Sequence, residues 1–224
     1  MNPGLLQLAS ASLPVGAYSH SLGLEAAAEA GLLTDASAAE AWIEDYLHWV
    51  WARGEAPLWA ALHDAWQAPA QDPVRALNDR VLASRESQEL LLECTQTGHS
   101  LREWLLALPD TEMQPAQATL LVELQPPSYA AVHALAARAL AMDAGSGLLA
   151  LGWSVLESLC SAALKLVPLG QRQSQALLRR VALQLPAAVA SAARYDADSA
   201  CNAAPMLAIL SAQHESQYSR LFRS

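Results

Sequence analysis

With 224 residues, a net charge of −9, 53% hydrophobic and 16% charged residues, the chain is long enough to bury a full core, and its charge opposes nucleic acid as the main partner. Its 47 Ala and 40 Leu stand against 17 Val, Ile and Thr together, which nearly excludes a sheet-based fold, because Ala and Leu lose little freedom in a helix whereas β-branched residues suit strands. Charge this sparse, against about 25% in ordinary soluble proteins, leaves surface for partner helices or an oligomer to cover.

Pro and Gly, rather than long polar linkers, separate the predicted elements. A short apolar segment, Leu5 to Ala9, runs into a Pro- and Gly-containing loop that starts at Leu13. Ser21 to Ala30 reads as a helix that stops at Gly31, a residue suited to the left-handed cap. Ser37 followed by Glu40 forms a capping box for a helix to about Arg53. Gly54 interrupts it, and Pro57 opens the next helix, to Gln67. Asp72 and Pro73 repeat the start signal for two stretches broken near Gly98 and ending at Pro109. Pro115 opens a helix to about Leu124, closed by Pro126 and Pro127, and Ser128 begins an Ala-rich helix to about Met142. An apolar helix from about Leu148 to Leu166 follows. Gly170 precedes a helix from Arg172 to about Leu185, which Pro186 kinks or ends. Residues 195–203 read as a loop, and Pro205 opens the last helix. The sum is one all-α domain over residues 1–224, of about nine or ten helices, with a flexible C-terminal tail at 214–224 that lies outside the core.

Charge is uneven along the chain: residues 1–112 carry 16 acids and 5 bases, residues 113–224 carry 6 acids and 8 bases. No Lys or Arg precedes Arg53, so the basic start of a secretory signal peptide is missing. The apolar stretch Ser146 to Leu164 holds Gly147, Gly152 and Glu157, which suits a buried helix better than a membrane span. Cys94, Cys160 and Cys201 read as reduced core residues of a cytoplasmic protein.

No spacing announces an active site. CxxC and HxxxH pairs are missing, and Cys94 and His99 are five apart, so the histidines read as surface or capping residues and no metal is expected. Gly145-Ser146-Gly147 lacks the strand before it and the Lys after it that a phosphate loop needs, and reads as close packing of two helices. Adjacent His214 and Glu215 point about 100° apart on a helix, which disfavours a proton-transfer pair. Glu86, Glu89 and Glu93 share one face and read as solvated. The chain is therefore expected to be no enzyme, with no catalytic residue and no cofactor.

Three segments carry more than structural punctuation. The first, residues 13–25, combines Pro14, Gly16, Ser19, Ser21, Gly23 and Glu25 ahead of a helix that Ser19 or Ser21 can cap. The second, residues 165–171, holds the only lysine, Lys165, with Pro168 and Gly170. The third, residues 214–224, sets Tyr218, Leu221 and Phe222 beside Ser219, Arg220 and Arg223; Tyr and Arg dominate binding hot spots.

At these segments the chain resembles the urease accessory protein F (UreF) family. The pattern LPVGxxSxSxGLE matches Leu13, Pro14, Val15, Gly16, Ser19, Ser21, Gly23, Leu24 and Glu25, and KLVPLGQ at 165–171 and HExxYSRLFRS at 214–224 match in order and spacing. Ala17 and Leu22 depart from it, standing where many relatives have Gly and a polar residue. The resemblance implies an all-α, dimer-forming, non-catalytic protein. It implies assembly with urease accessory proteins D (H in some species) and G, a GTPase, to load nickel into apo-urease in step with GTP hydrolysis. It places no membrane or nucleic acid among the partners, and it implies that the tail, through Arg220, contributes to the assembly. In the scaffold reading Lys165, Tyr218 and Arg220 make partner contacts, with Pro168, Gly170, Ser219, Leu221, Phe222 and Arg223 beside them on the partner-binding segments. Two other readings stand beside the scaffold: a GTPase regulator that offers Arg220 as a finger toward phosphate, and a helical enzyme with His and Glu converging in an internal pocket.

Overall fold

The computed structural model describes residues 2–67 and 71–223. Its elements are α1 (Pro3–Leu8), a 3-10 turn (Ala17–Ser19), α2 (Leu24–Glu29), α3 (Ala36–Asp45), a π-helical segment (Tyr46–Glu55), α4 (Ala56–Ala65), α5 (Gln71–Ala83), α6 (Gln88–Ala107), α7 (Pro115–Glu123), α8 (Tyr129–Ala139), α9 (Ala144–Leu166), α10 (Gln171–Ala182), α11 (Leu185–Ala192) and α12 (Pro205–His214). The architecture is all-α in one domain, as the Ala- and Leu-rich composition predicts, with no strand among the described residues.

The Ala-rich helix α8 is the centre of the core. Seven consecutive residues, Ala131 to Ala137, are buried, because small side chains let α4 pack on one side and α6 on another. Tryptophans from α4 and the π segment supply the volume that alanine does not: Trp51, Trp59 and Trp66 are fully buried. Trp59 Nε1 donates to His133 Nδ1 at 3.0 Å and Trp66 Nε1 donates to the Ala131 carbonyl at 2.9 Å. Gly147 takes the expected packing role, since a Cβ there would stand 2.4 Å from the Trp59 ring.

Gly54 and Pro57 do not interrupt the second long helix; the chain stays helical from Ala36 to Ala65 by changing its pitch. Pro57 has no N–H to give the Arg53 carbonyl, and the intervening turns widen so that Ala56 N–H bonds the Trp51 carbonyl, five residues back. The loop at 195–203 takes up what is freed, with Cys201 N–H donating to Arg53 O and Ala203 N–H to Trp49 O, each at 3.1 Å. Cys201 is thereby held in an exposed loop, and only Cys94 and Cys160 are core thiols.

Other boundaries differ from expectation for local reasons. The cap of α3 is Asp35, whose Oδ1 accepts from Ser37 and Ala38 N–H groups, so Ser37 does not form the capping box. Helix α6 runs straight through Gly98, and the break falls at residues 84–87, where Ser87 caps the new helix. Asp143 caps α9 a turn earlier than the apolar pattern suggests. This helix is long and apolar enough to cross a membrane, but 56% of its most apolar window is buried within the fold, as for a core helix.

Candidate functional site

The loop before α2 is shaped by residues that tolerate unusual backbone. Gly16 and Gly23 have φ of 76° and 83°, so the backbone conformation favours glycine at both, and a Cβ at Gly23 would in addition displace Leu207 Cδ1 of α12, 2.4 Å away. Ser19 Oγ donates to Gly16 O at 2.8 Å, and Ser21 Oγ accepts from Glu25 N–H at 3.2 Å; the N-cap position itself is Gly23, so α2 starts three residues later than Ser21 and neither serine is its cap residue. Pro14 is exposed on the outer rim. This geometry puts Glu25 in the first turn of α2, buried and pointed at the end of the chain.

Glu25 is the node that joins the first segment to the third. Its Oε1 accepts from Leu221 N–H at 2.6 Å and its Oε2 from Phe222 N–H at 2.8 Å. His214, 2% exposed, stands between two carboxylates: Nε2 lies 3.2 Å from Glu25 Oε2, and Nδ1 lies 2.6 Å from Glu89 Oε2 on α6. The other oxygen of Glu89 takes Arg220 Nη1 at 2.5 Å. Arg220 also donates through Nε to Gln217 O at 3.0 Å and through Nη2 to Glu215 O at 2.5 Å. Alternating acid and base thus run Glu25, His214, Glu89, Arg220 across four elements. Such a chain holds because each buried charge keeps a partner.

The second segment closes the same site from the side. Lys165 Nζ lies 4.9 Å from the centre of the Phe222 ring, a cation–π contact, and Phe222 is only 5% exposed. Arg223 N–H donates to Ser19 O at 2.9 Å. The tail is therefore seated on the fold rather than lying outside the core, because Glu25 and Lys165 supply the polar and cationic partners that so short a segment alone does not. Tyr218 and Leu221, 105% and 61% exposed, point away from it, with Ser219 also exposed. Ser224 lies outside the described residues. Pro168 and Gly170 stay in the turn from α9 to α10, where Gly170 N–H bonds Gln173 Oε1.

Sequence reasoning missed Glu89, which shares a helical face with Glu86 and Glu93 and was expected to be solvated. The face is solvated only at Glu86; Glu89 is 7% exposed beneath α12 and the tail. The histidines, expected at surfaces and caps, are mostly internal: His20, His63, His133 and His214 are buried. Glu215, beside His214, instead accepts from Gln88 N–H at the start of α6. Among the described residues no group of three His, Cys, Asp or Glu side chains is placed to hold a metal ion.

A second cluster, which no local spacing announces, floors a partly open cavity of about 140 Å³ under the 13–25 loop. Arg85 Nη1 donates to Glu55 Oε1 at 2.7 Å, and Tyr46 OH to the same oxygen at 3.4 Å. Glu93, Cys94 and Tyr129 complete the floor, and His20 lines the cavity from the loop. Burial pushes the Glu93 carboxyl up to about 8, with Arg85 opposing and Glu55 reinforcing the shift. Burial, helped by the Arg223 charge, lowers His20 to about 4.

The sign for Glu93 is definite. Its folded pKa lies above the ordinary 4.5, so its contribution is complete below that value and is lost as pH rises through about 8. Glu93→Gln, which stays neutral, is expected to gain stability over the parent progressively from about pH 5 to about pH 8. Urea unfolding at both pH values checks this; a pH-independent difference would contradict a protonated Glu93.

The comparisons with known proteins agree on one family. The family model described as UreF matches residues 33–182. The chain is similar to proteins named urease accessory protein UreF from Polynucleobacter asymbioticus, 44% identical over 98% of this chain and 96% of that one, and from Dechloromonas aromatica, 43% identical over 98% and 96%. The Delftia acidovorans protein of the same name is 44% identical over 98% of this chain and 95% of its own.

Proposed function

The chain belongs to the UreF family of urease accessory proteins, and from that premise we propose that it is a non-catalytic assembly scaffold whose seated tail is a partner-binding surface. It joins accessory proteins D (H) and G, the latter a GTPase, in a cytoplasmic complex that delivers nickel to apo-urease, and it works there as a homodimer.

The observation that carries this reading is the division of labour within the tail. Phe222 and the backbone of Leu221 are spent on anchoring to Glu25 and Lys165, while Tyr218 and Leu221 side chains face solvent. Exposed apolar and aromatic groups on a seated segment lose little entropy when a partner covers them, which favours tight docking. Arg220 is engaged with Glu89 and two carbonyls of its own chain. That supports an anchoring role over a finger that extends to a nucleotide.

Co-expression with the D-type and G-type proteins, followed by native mass measurement, tests the assembly. The expected result is one complex that contains all three chains, with two copies of this one. Recovery of this chain alone, with both partners expressed and folded, would refute it.

A further inference from the structure

The tail is tied to the roof of the cavity as well as to its own anchor network. The cavity lies beneath the loop through Leu13, Val15, Tyr18, His20 and Leu22, and its floor includes Cys94. Three successive backbone N–H groups of the tail end on this loop and the helix it opens: Leu221 and Phe222 on Glu25, and Arg223 on Ser19 O. The roof between these ties has the backbone of a hinged flap. Gly16 and Gly23, both in the left-handed region, bound it, and Leu22 within it is also held at a φ of 52°. A non-glycine residue keeps such a conformation only when surrounding contacts impose it. The roof holds no regular structure of its own beyond the 3-10 turn at Ala17–Ser19.

We propose that the seated tail is a strap that holds the roof down over this partly open cavity, so that release of the tail widens access to its floor. Whatever takes the tail off its seat thereby raises access to the cavity floor, and a molecule that enters the cavity loosens the tail by the same free energy, since coupling between two sites is reciprocal. A partner that docks on the seated tail instead holds the strap down. That link rests on the reading of the tail as a partner-binding surface; the strap itself does not, and it is tested in the isolated chain.

The two buried cysteines supply the gauge. Cys94 lies on the cavity floor at 6% exposure, whereas Cys160, at 2%, is packed between α9 and α10, away from the cavity. In a Cys201→Ser background, N-ethylmaleimide modification of each is followed by peptide mass spectrometry under native conditions. Phe222→Ala, which empties the seat, is expected to raise Cys94 labelling about tenfold, the equivalent of about 1.4 kcal/mol in the opening equilibrium, with Cys160 unchanged. Arg223→Pro removes the N–H to Ser19 together with the Arg223 side chain, and Arg223→Ala, which keeps that N–H, is the control; the proline variant is expected to give a smaller rise than Phe222→Ala, again confined to Cys94, and the alanine variant none. The proline variant carries the test should Phe222→Ala fail to fold. Unchanged Cys94 labelling in folded Phe222→Ala and Arg223→Pro, or a rise shared equally by Cys160, would overturn the strap. Loss of partner binding with Cys94 unchanged would leave the tail's partner role standing and the strap refuted.

Discussion

Glu25→Ala is expected to lower the stability of the chain by about 2–5 kcal/mol, since each buried donor left without an acceptor costs about 1–3 kcal/mol. Two donors, the N–H groups of Leu221 and Phe222, lose their acceptor at once, and Nε2 of His214 loses its partner. His214 and Arg220 are then left with Glu89 as the only carboxylate of the network, and Phe222 loses the backbone bond that fixes it beneath Lys165. Equilibrium urea unfolding measures the loss, and the same measurement on Phe222→Ala and the double variant completes a cycle. The two losses should fall short of additive, because both act through one seat. A loss for Glu25→Ala of under about 1 kcal/mol, the range of an exposed ion pair, would mean that the network holds nothing.

The second large effect sits away from the tail, at the crossing of α6 with the start of α8. A Cβ at Gly98 would stand 2.3 Å from Pro127 O, 2.8 Å from Ser128 C and 2.8 Å from Tyr129 N. All three are backbone atoms, so no side chain can swing aside, and the two helices must separate. Gly98→Ala should gain about 1 kcal/mol of helix propensity yet lose about 3 kcal/mol or more through overpacking. A thermal melt decides the sign; a variant as stable as the parent would show that the crossing is looser than these distances describe.

Gly98 also shows why part of the fold was legible in the sequence and part was not. Read locally, a glycine in a helical pattern is a breaker, and the break was expected there. Its actual role is set by residues 29 positions onward, which no local pattern records. Where a signal is local the reading holds: Ser128 caps α8, Pro115 and Pro205 open α7 and α12, and the 195–203 stretch is a loop. Pro57 was read as the opening residue of a new helix after a break at Gly54; it does stand in the first turn of α4, but the chain reaches it through a π segment with no break at Gly54.

The candidate site divides in the same way. Its three segments stand out in the sequence by their residue types, yet their meeting is a product of packing that brings residues 25, 89, 165 and 220–223 together. Glu25 was visible as the last residue of a motif. Glu89 had no local signal, because Glu86, Glu89 and Glu93 look alike on a helix until α12 and the tail cover one and the cavity surrounds another. Lys165 drew notice as the only lysine, and the aromatic ring it covers belongs to the only Phe.

The claim that the seated tail is the partner-binding surface is tested most directly at the two side chains that face away from the seat. Tyr218 and Leu221 are exposed, so Tyr218→Ala/Leu221→Ala should leave the melting temperature within about a degree of the parent, as exposed substitutions do. If they are the anchors of the interface, affinity for the D-type accessory protein, or for its complex with the G-type protein, should fall about thirtyfold, equivalent to about 2 kcal/mol. Isothermal titration of the double variant against those partners is the measurement. A variant that melts like the parent and binds thirtyfold more weakly is the predicted result; one that melts like the parent and binds both partners with undiminished affinity would contradict it.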